Sequence, residues 1–299
     1  MDIRTAIAAF VFFAALLVFV AAWLWGPPLA IAWRRARVRR QSFPPAWRDT
    51  LRRRWPAFAQ FPADVQLQLK KQAQVLIAET PFVGCAGLAI TDDMRVLIAA
   101  QAALLLLNGR ANSFANLRQV LVYPGAFVVD RAVADDQGLA HEIRRVLAGE
   151  SWQQGQLILS WQDVVTDAAQ AADASHGRNV VIHEAAHQLD QETGAANGAP
   201  ALRSAVRRKR WAQVMSQAYS ALQLRVARHQ PGLIDAYGAT DPAEFFAVAT
   251  ELFITRPEAL AAAHPALYDE LAQLYRASPL LWRSSPVLLR SARAGNRSH

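Results

Sequence analysis

Apolar residues are distributed very unevenly along this chain, and the pattern sets its amino-terminal end apart. Residues 5–33 carry no charged side chain, and residues 5–25 form an almost continuous apolar run of 21 residues. At about 1.5 Å of rise per residue, a helix over this run is about 30 Å long, which is the thickness of the hydrocarbon core of a bilayer. The pattern therefore predicts one transmembrane helix within a membrane anchor at residues 1–33. A cleaved signal peptide is the alternative interpretation.

The rest of the chain alternates helical and strand-like periodicity. Two short strand-like runs lie in the middle of the chain, and Pro124-Gly125 breaks the first of them into strand, turn and strand. A polar, alanine-rich segment at 162–177 is predicted to be loop. The fold class predicted from this pattern is α+β, mostly helical, with one small β-sheet. Helical spacing covers residues 62–79, 91–108, 178–191, 201–228, 242–255 and 265–276, and the strand-like runs are 119–129 and 156–161.

Composition divides the chain into four segments. After the anchor, residues 34–61 are rich in arginine, proline and tryptophan, and we interpret them as a basic juxtamembrane linker. Residues 62–285 form the predicted globular domain, and residues 286–299 are predicted to be a disordered tail. A single cysteine, Cys85, excludes an internal disulfide framework and any cysteine-rich metal site.

The positive charge is concentrated beside the predicted membrane span. Nine arginines lie within residues 34–54, whereas Arg4 is the one basic side chain that precedes the apolar run. The positive-inside rule therefore predicts a single-pass protein of the inner membrane with its globular domain in the cytoplasm. The net charge of +8 could also suggest nucleic acid, but a basic cluster at this position is expected to lie against anionic lipid head groups. We predict membrane association through the helix and linker, and no nucleic-acid partner.

The chemistry of the chain is concentrated in the pentapeptide His183-Glu184-Ala185-Ala186-His187. On a helix, side chains four residues apart lie on the same face, so the two imidazoles can converge on one ion. Imidazole is a preferred zinc ligand, and a carboxylate next to the first ligand is placed to take a proton from activated water. The pattern predicts one Zn²⁺ per chain, with Glu184 as the catalytic base. Two core histidines beside an exposed glutamate are the alternative.

Two histidines need a third protein ligand, and the sequence leaves two candidates for it. The sixth residue after His187 is Thr193, so a third histidine at that spacing is absent. A carboxylate on a later helix is the more plausible source. Glu244 and Glu251 lie seven residues apart on one face of the predicted helix 242–255, among apolar neighbours. Spacing does not separate the two, because Glu244 also follows Asp241 in the pattern of a capping box.

Four stretches of the chain resemble the Mlc titration factor A family of bacterial zinc peptidases, of the gluzincin type. They are YPGAFVVD (123–130), SWQQGQLILSW (151–161), VIHEAAHQLD (181–190) and IDAYGATDPAEFFAV (234–248). The resemblance implies a zincin-like metallopeptidase domain with His183, His187 and Glu244 as metal ligands. It also implies that Tyr237 stabilises the oxyanion, that activity is aminopeptidase-like, and that some members bind a repressor. The relatives are soluble proteins, so the predicted anchor is a departure from the family.

These observations lead to one main interpretation and one alternative. The main interpretation is a zinc-dependent, aminopeptidase-like peptidase that acts on peptide substrates. The alternative is a membrane-tethered regulatory protein that binds a transcription regulator and keeps zinc mainly as a structural element. Asp190 lies three residues after His187 and is either a residue that orients an imidazole or a plain carboxylate at the helix end. The other histidines have no metal-ligand spacing; they are His141, His176, His229, His264 and His299.

Overall fold

The computed structural model describes residues 3–108, 114–134, 140–147, 149–152, 155–173, 175–194, 196–202 and 204–282. The chain divides into two compact units, with the division between Ser42 and Phe43. The first unit contains helix α1, and the second contains the sheet and all the remaining helices.

Helix α1 runs from Ile3 to Arg40 and has Pro27 and Pro28 in its interior. Proline removes a backbone donor and its ring clashes with the preceding turn, so a bend near this pair is expected. Among the described residues no single helix is long and apolar enough to cross a bilayer. The consecutive segments Phe10–Trp23 and Trp25–Arg40, bent by 44°, pass this test together by length and composition. The transmembrane helix therefore stays a prediction.

The second unit is mostly helical, as the periodicity predicted. Helix α8 has the predicted bounds, and most of the other predicted helices are reproduced within two residues. The exceptions are 91–108, where the α-helix ends at Ala102 and a 3₁₀ turn follows, and 201–228, where the helix begins at Ala205. The helices are α2 (Pro45–Arg54), α3 (Ala63–Glu79), α4 (Asp92–Ala102), α5 (Trp161–Gln170), α6 (Val180–Asp190), α7 (Ala205–Ala227), α8 (Pro242–Thr255), α9 (Pro257–Ala263) and α10 (Pro265–Tyr275).

A small sheet packs beside the central helices. Its strands are β1 (Phe82–Gly84), β2 (Gln119–Tyr123), β5 (Gly149–Trp152) and β6 (Gln156–Ser160), in the order β1-β2-β6-β5. Strands β1, β2 and β6 are parallel to one another, and β5 is antiparallel to β6. A separate antiparallel hairpin is formed by β3 (Phe127–Ala134) and β4 (Ala140–Leu147). The α+β class with a small sheet is thus confirmed.

The structure shows how the predicted strands are paired. The strands on either side of Pro124-Gly125 exist, but they pair with different partners: β2 pairs with β1 and β6, and β3 pairs with β4. The strand-like run at 156–161 is compatible with either a buried strand or an edge strand. In the structure β6 is hydrogen-bonded on both sides, so β5 occupies the sheet edge instead.

The segment predicted as a linker belongs to the folded unit from Phe43 onward. Leu51 and Trp55 are 0% and 2% exposed and lie in the hydrophobic core with Phe58. These three side chains have helical spacing, which the surrounding arginines obscure in the sequence. Arg54 also anchors α2 by an ion pair of 3.0 Å between its Nε and Asp93 Oδ2 at the start of α4.

The loop predicted at 162–177 is also wrong over its first part, because α5 occupies Trp161–Gln170. The side-chain oxygen of Ser160 accepts a hydrogen bond from the Asp163 N–H and caps this helix. Val164 and Ala168, four residues apart, are fully buried against the core. A short helix with only two core positions gives a weak periodic signal, and this explains the missed prediction.

Candidate metal centre

Helix α6 carries the two histidines on a rigid, well-capped element. The Asn179 side chain accepts a hydrogen bond of 3.0 Å from the Ile182 N–H, and this cap starts the helix one turn before His183. On the core side, Val181, Ala185 and Leu189 are buried at intervals of four residues. The histidines therefore face away from this apolar stripe. The Val180 N–H donates to Asp167 Oδ2 at 2.8 Å, which ties the start of α6 to α5.

Helix α8 brings a carboxylate to the same place. Asp241 caps it, since its Oδ1 accepts hydrogen bonds from the N–H groups of Ala243 and Glu244 at 2.8 and 2.9 Å. Glu244 is thus fixed in the first turn of α8. Its Oε2 lies 3.0 Å from His183 Nε2 and 3.4 Å from His187 Nε2. The Glu244 carboxylate thus contacts both imidazoles. Glu244 therefore does more than cap the helix, which was the alternative that the sequence left open.

The three side chains form a compact ligand triangle. Its third side is the 3.2 Å distance between His187 Nε2 and His183 Nε2. Ligands about 2.0–2.1 Å from a tetrahedral zinc ion are separated by about 3.3 Å, so the observed spacing fits such an ion. Across the part of the chain that the structure describes, this is the one group of three or more His, Cys, Asp or Glu whose ligand atoms lie within 4.8 Å of one another.

Glu251 contacts the opposite side of the His183 ring. Its Oε1 is hydrogen-bonded to His183 Nδ1, and its Oε2 accepts the Asn179 backbone N–H at 3.1 Å. An imidazole that donates from Nδ1 to a carboxylate presents Nε2 to a metal, and the partner fixes the orientation of the ring. The two carboxylates that spacing could not separate therefore have different positions. Glu244 faces the Nε2 atoms of His183 and His187, and Glu251 is hydrogen-bonded to the opposite ring nitrogen of His183.

The electrostatics of the site favour a bound cation. Burial alone would lower the pKa of His183, but the carboxylates of Glu251 and Glu244 raise it well above its ordinary value. Burial would raise the pKa of Glu244, yet hydrogen bonds and charge from the two imidazoles lower it well below its ordinary value. In the metal-free protein a proton thus supplies positive charge where a metal ion would. Metal binding must displace that proton, because the ligand is the neutral imidazole.

Glu184 lies beside the ligand triangle with an unused oxygen. It is 4% exposed, and its Oε2 has no hydrogen-bond partner among the described residues. Burial raises the pKa of this carboxyl group to about 7, although the nearby histidines act to lower it. A carboxylate with a free oxygen and a pKa near neutrality has the properties of a general base.

Tyr237 stands at the mouth of the same site. A short 3₁₀ turn, Ala236–Ala239, carries it, and the Tyr237 N–H donates to Asp235 Oδ1 at 2.8 Å to start that turn. The Tyr237 ring centroid is 6.1 Å from that of His183, and the side chain is 43% exposed. Tyr237, His183 and Glu184 together line a cleft of about 540 Å³. The structure therefore brings together all five residues predicted for the site.

Asp190 contacts a loop rather than an imidazole among its described hydrogen bonds. Its Oδ2 accepts the Gly198 N–H at 2.7 Å, and the Gly198 carbonyl oxygen accepts the Trp211 indole N–H at 2.8 Å. Asp190 therefore fixes the chain that follows α6. His176 lies 3.2 Å from Asp167 Oδ1, and the side chains of His141 and His299 lie outside the described residues. Asp167 gave no signal in the sequence, although it braces α6.

Comparison with known proteins agrees with this geometry. The family described as glucose-regulated metallopeptidase M90 matches residues 30–276. The chain belongs to the M90 metallopeptidase family. The match begins within α1, so the arginine-rich segment is part of the M90 region, and its residues from Phe43 onward belong to the folded unit.

Matches to individual proteins also extend over most of the chain. An uncharacterized protein, slr2042, of Synechocystis is 37% identical over 87% of this chain and 94% of its own length. Mlc titration factor A of Yersinia enterocolitica is 35% identical over 77% of this chain and 84% of its own length. Mlc titration factor A of Serratia proteamaculans is 36% identical over 77% of this chain and 86% of its own length. The resemblance to the Mlc titration factor A family is thus confirmed.

Proposed function

We propose that this M90 protein is a zinc-dependent, aminopeptidase-like peptidase that hydrolyses peptide bonds with activated water. One observation carries the proposal: two imidazole nitrogens and one carboxylate oxygen form a triangle with sides of 3.0, 3.2 and 3.4 Å beside the buried carboxylate of Glu184. Two nitrogen ligands and one oxygen ligand are the donor set of catalytic zinc sites that keep a position open. His183, His187 and Glu244 would hold the ion, one per chain.

The chain's own residues have distinct roles in this mechanism. When bound, zinc supplies Lewis-acid activation of water and of the scissile carbonyl group. Glu184 accepts the proton of the attacking water and returns it to the leaving amine, because it lines the cleft and its Oε2 has no hydrogen-bond partner among the described residues. The hydroxyl of Tyr237 donates a hydrogen bond to the substrate oxygen on which negative charge develops. Glu251 holds the ring of His183 in place.

Removal and return of the metal tests the proposed function. The full-length protein, purified in detergent, should hydrolyse aminoacyl p-nitroanilides, lose this activity after treatment with a chelator, and regain it on addition of Zn²⁺. The same substrates with a blocked amino group should react much more slowly if cleavage is of the aminopeptidase type. Activity that survives complete removal of metal would contradict the proposal.

The names of the relatives support a second candidate function. Two of the similar proteins are named Mlc titration factor A. We propose, as the alternative to catalysis, that this chain binds a transcription regulator and that zinc is mainly structural. A chain of this kind would retain regulator binding, measured by co-purification, after Glu184 is replaced by glutamine. It would show no peptide hydrolysis before the replacement.

We further propose that α1 anchors the protein in the inner membrane with the M90 domain in the cytoplasm. In support, the two segments of α1, which are bent relative to each other, are together long and apolar enough to cross a bilayer. Large apolar side chains are also well exposed on this helix, among them Phe10, Leu17, Phe19 and Trp23. Burial of such side chains in lipid would remove a large apolar surface from water. Basic side chains beyond the span favour the cytoplasmic leaflet.

Alkaline carbonate extraction followed by protease treatment of intact spheroplasts measures this location. We expect the protein to remain in the membrane pellet, and its domain to be digested only after the spheroplasts are lysed. Recovery in the soluble fraction would contradict the anchor, and digestion in intact spheroplasts would contradict the orientation. Replacing Phe12, Leu16 and Phe19 by aspartate should release the protein if α1 is the anchor.

A further inference from the structure

The cleft extends beyond the metal ligands toward two arginines. Arg178 directly precedes the cap residue of α6, and Arg256 directly follows α8. Both line the cleft together with Glu184 and Tyr237. Helices α6 and α8 run antiparallel here, since Glu251 near the end of α8 contacts Asn179 at the start of α6. The end of one helix and the start of the other thus place both arginines in the lining of one cleft.

Neither guanidinium group has an acidic partner within the described part of the chain. No described carboxylate forms an ion pair with Arg178 or Arg256, and Arg256 Nε is buried without an acceptor. A buried N–H without an acceptor is unusual, because the hydrogen bond that it loses to water is not replaced. Glu251, whose carboxylate also lines the cleft, is hydrogen-bonded to His183 and Asn179 and forms no ion pair with either arginine among the described contacts.

The stem of Arg256 is held in a fixed position. A Cβ atom at Gly177 would lie 3.3 Å from Arg256 Cδ, so the absence of a side chain at Gly177 admits the arginine stem. The hydroxyl oxygen of Thr255 lies 2.7 Å from the Glu251 carbonyl oxygen and 3.1 Å from the Gly177 carbonyl oxygen, so it lies between the end of α8 and the segment before α6. Arg256 therefore has a buried Nε and a packed Cδ, unlike an arginine that extends freely into solvent.

We propose that Arg178 and Arg256 bind a carboxylate group of the peptide substrate. The guanidinium fork matches the geometry of a carboxylate, and two unpaired cations in one cleft attract an anion. The inference rests on the proposed function, and it adds a class of substrate: peptides that carry a carboxylate near the bond to be cleaved. That carboxylate is either the chain terminus or an acidic side chain.

Helix geometry sets the distance of this subsite from the metal centre. Arg178 precedes His183 by five positions, and Arg256 follows Glu251, the partner of His183 Nδ1, by five positions. Five positions correspond to about 7–8 Å along a helix, and to somewhat more where the chain leaves the helix, as it does at both arginines. An extended peptide advances about 3.3 Å per residue. The carboxylate is therefore expected two to three residues from the scissile bond.

Binding can be measured independently of hydrolysis in the zinc-loaded Glu184→Gln variant. Isothermal titration calorimetry would compare four probes: tetra-alanine as the free acid, tetra-alanine amide, and tetrapeptide amides of alanine with Glu or Gln at the third position. We expect a carboxylate-bearing probe to bind at least about tenfold more tightly than its neutral counterpart, as is typical of a hydrogen bond to a charged group. Preference for the free acid assigns the chain terminus, and preference for Glu over Gln assigns the side chain.

The arginine variants decide whether this preference arises in the cleft. Arg256→Gln, and more strongly the double change with Arg178→Gln, should abolish the preference, whereas Arg256→Lys should keep part of it. The matched control is Arg228→Gln, because Arg228 also follows a helix, is exposed, and does not line the cleft. Equal binding of charged and neutral probes, absence of binding by all four, or a preference that survives the double change would overturn the proposal. A preference without hydrolysis by the native protein would leave this inference intact and contradict the proposed function.

Discussion

Replacing Glu184 by glutamine is expected to lower the rate of peptide hydrolysis by about 10²–10⁴-fold and to leave the metal content unchanged. Glutamine has nearly the same shape as glutamate but cannot accept the proton of the attacking water. The ligand triangle is formed by other side chains, whose atoms lie 3.0–3.4 Å apart. Steady-state turnover and metal analysis on the same preparation would measure both quantities.

A matched control separates loss of the base from loss of structure. Glu258→Gln makes the same chemical change at an exposed position of α9, outside the cleft, and should retain native activity. Burial raises the pKa of Glu184 to about 7, so the folded metal-free protein is destabilised by ionisation of this group above that pH and not below about pH 4.5. At pH 8 the metal-free Glu184→Gln variant should therefore have an unfolding temperature equal to or higher than that of the metal-free native protein.

Near-native turnover by the metal-loaded Glu184→Gln variant would show that Glu184 is not the base.

Local sequence patterns were sufficient to place the helices that carry the site. The bounds of α8 were predictable because Asp241 and Pro242 mark its start and its apolar residues continue to the end. Helix α6 was predictable for a similar reason, and the four-residue spacing of His183 and His187 determines that they share a face. These are signals within a single element, and they require no knowledge of the tertiary structure.

The choice between Glu244 and Glu251 required the packing of one helix against another. Both carboxylates lie on the same face of α8, so periodicity treats them alike. The antiparallel packing of α6 and α8 places Glu244 against the ligand nitrogens and Glu251 against His183 Nδ1. The pairing partners of β2 and β3 were unpredictable for the same reason, because strand register depends on contacts distant in sequence.

Charged neighbours concealed other parts of the fold. Leu51 and Trp55 are core residues, but the arginines between them produce a composition typical of a linker. Arg178 and Arg256 likewise have no motif that distinguishes them from surface arginines. Their position became informative only when the structure placed both in one cleft.

Replacing Glu244 by alanine is expected to reduce bound zinc to below about one-tenth of the native content, because the site loses one of its three protein ligands. Asp241 still caps α8 in this variant, so the helix should remain folded. Replacing Glu251 by alanine removes the partner of His183 Nδ1 but no ligand atom. Loss of such a partner typically weakens metal binding by about 10–100-fold, so this variant should still fill when zinc is in excess.

Zinc content per chain, measured by mass spectrometry after equilibration with excess Zn²⁺ and removal of unbound ions, tests the metal centre most directly. The full-length native protein and the Glu251→Ala variant should each retain about one ion per chain, and the Glu244→Ala variant should retain almost none. Retention of zinc by Glu244→Ala together with its loss from Glu251→Ala would contradict the assignment of the ligands. Absence of zinc from the native protein would contradict the metal centre itself.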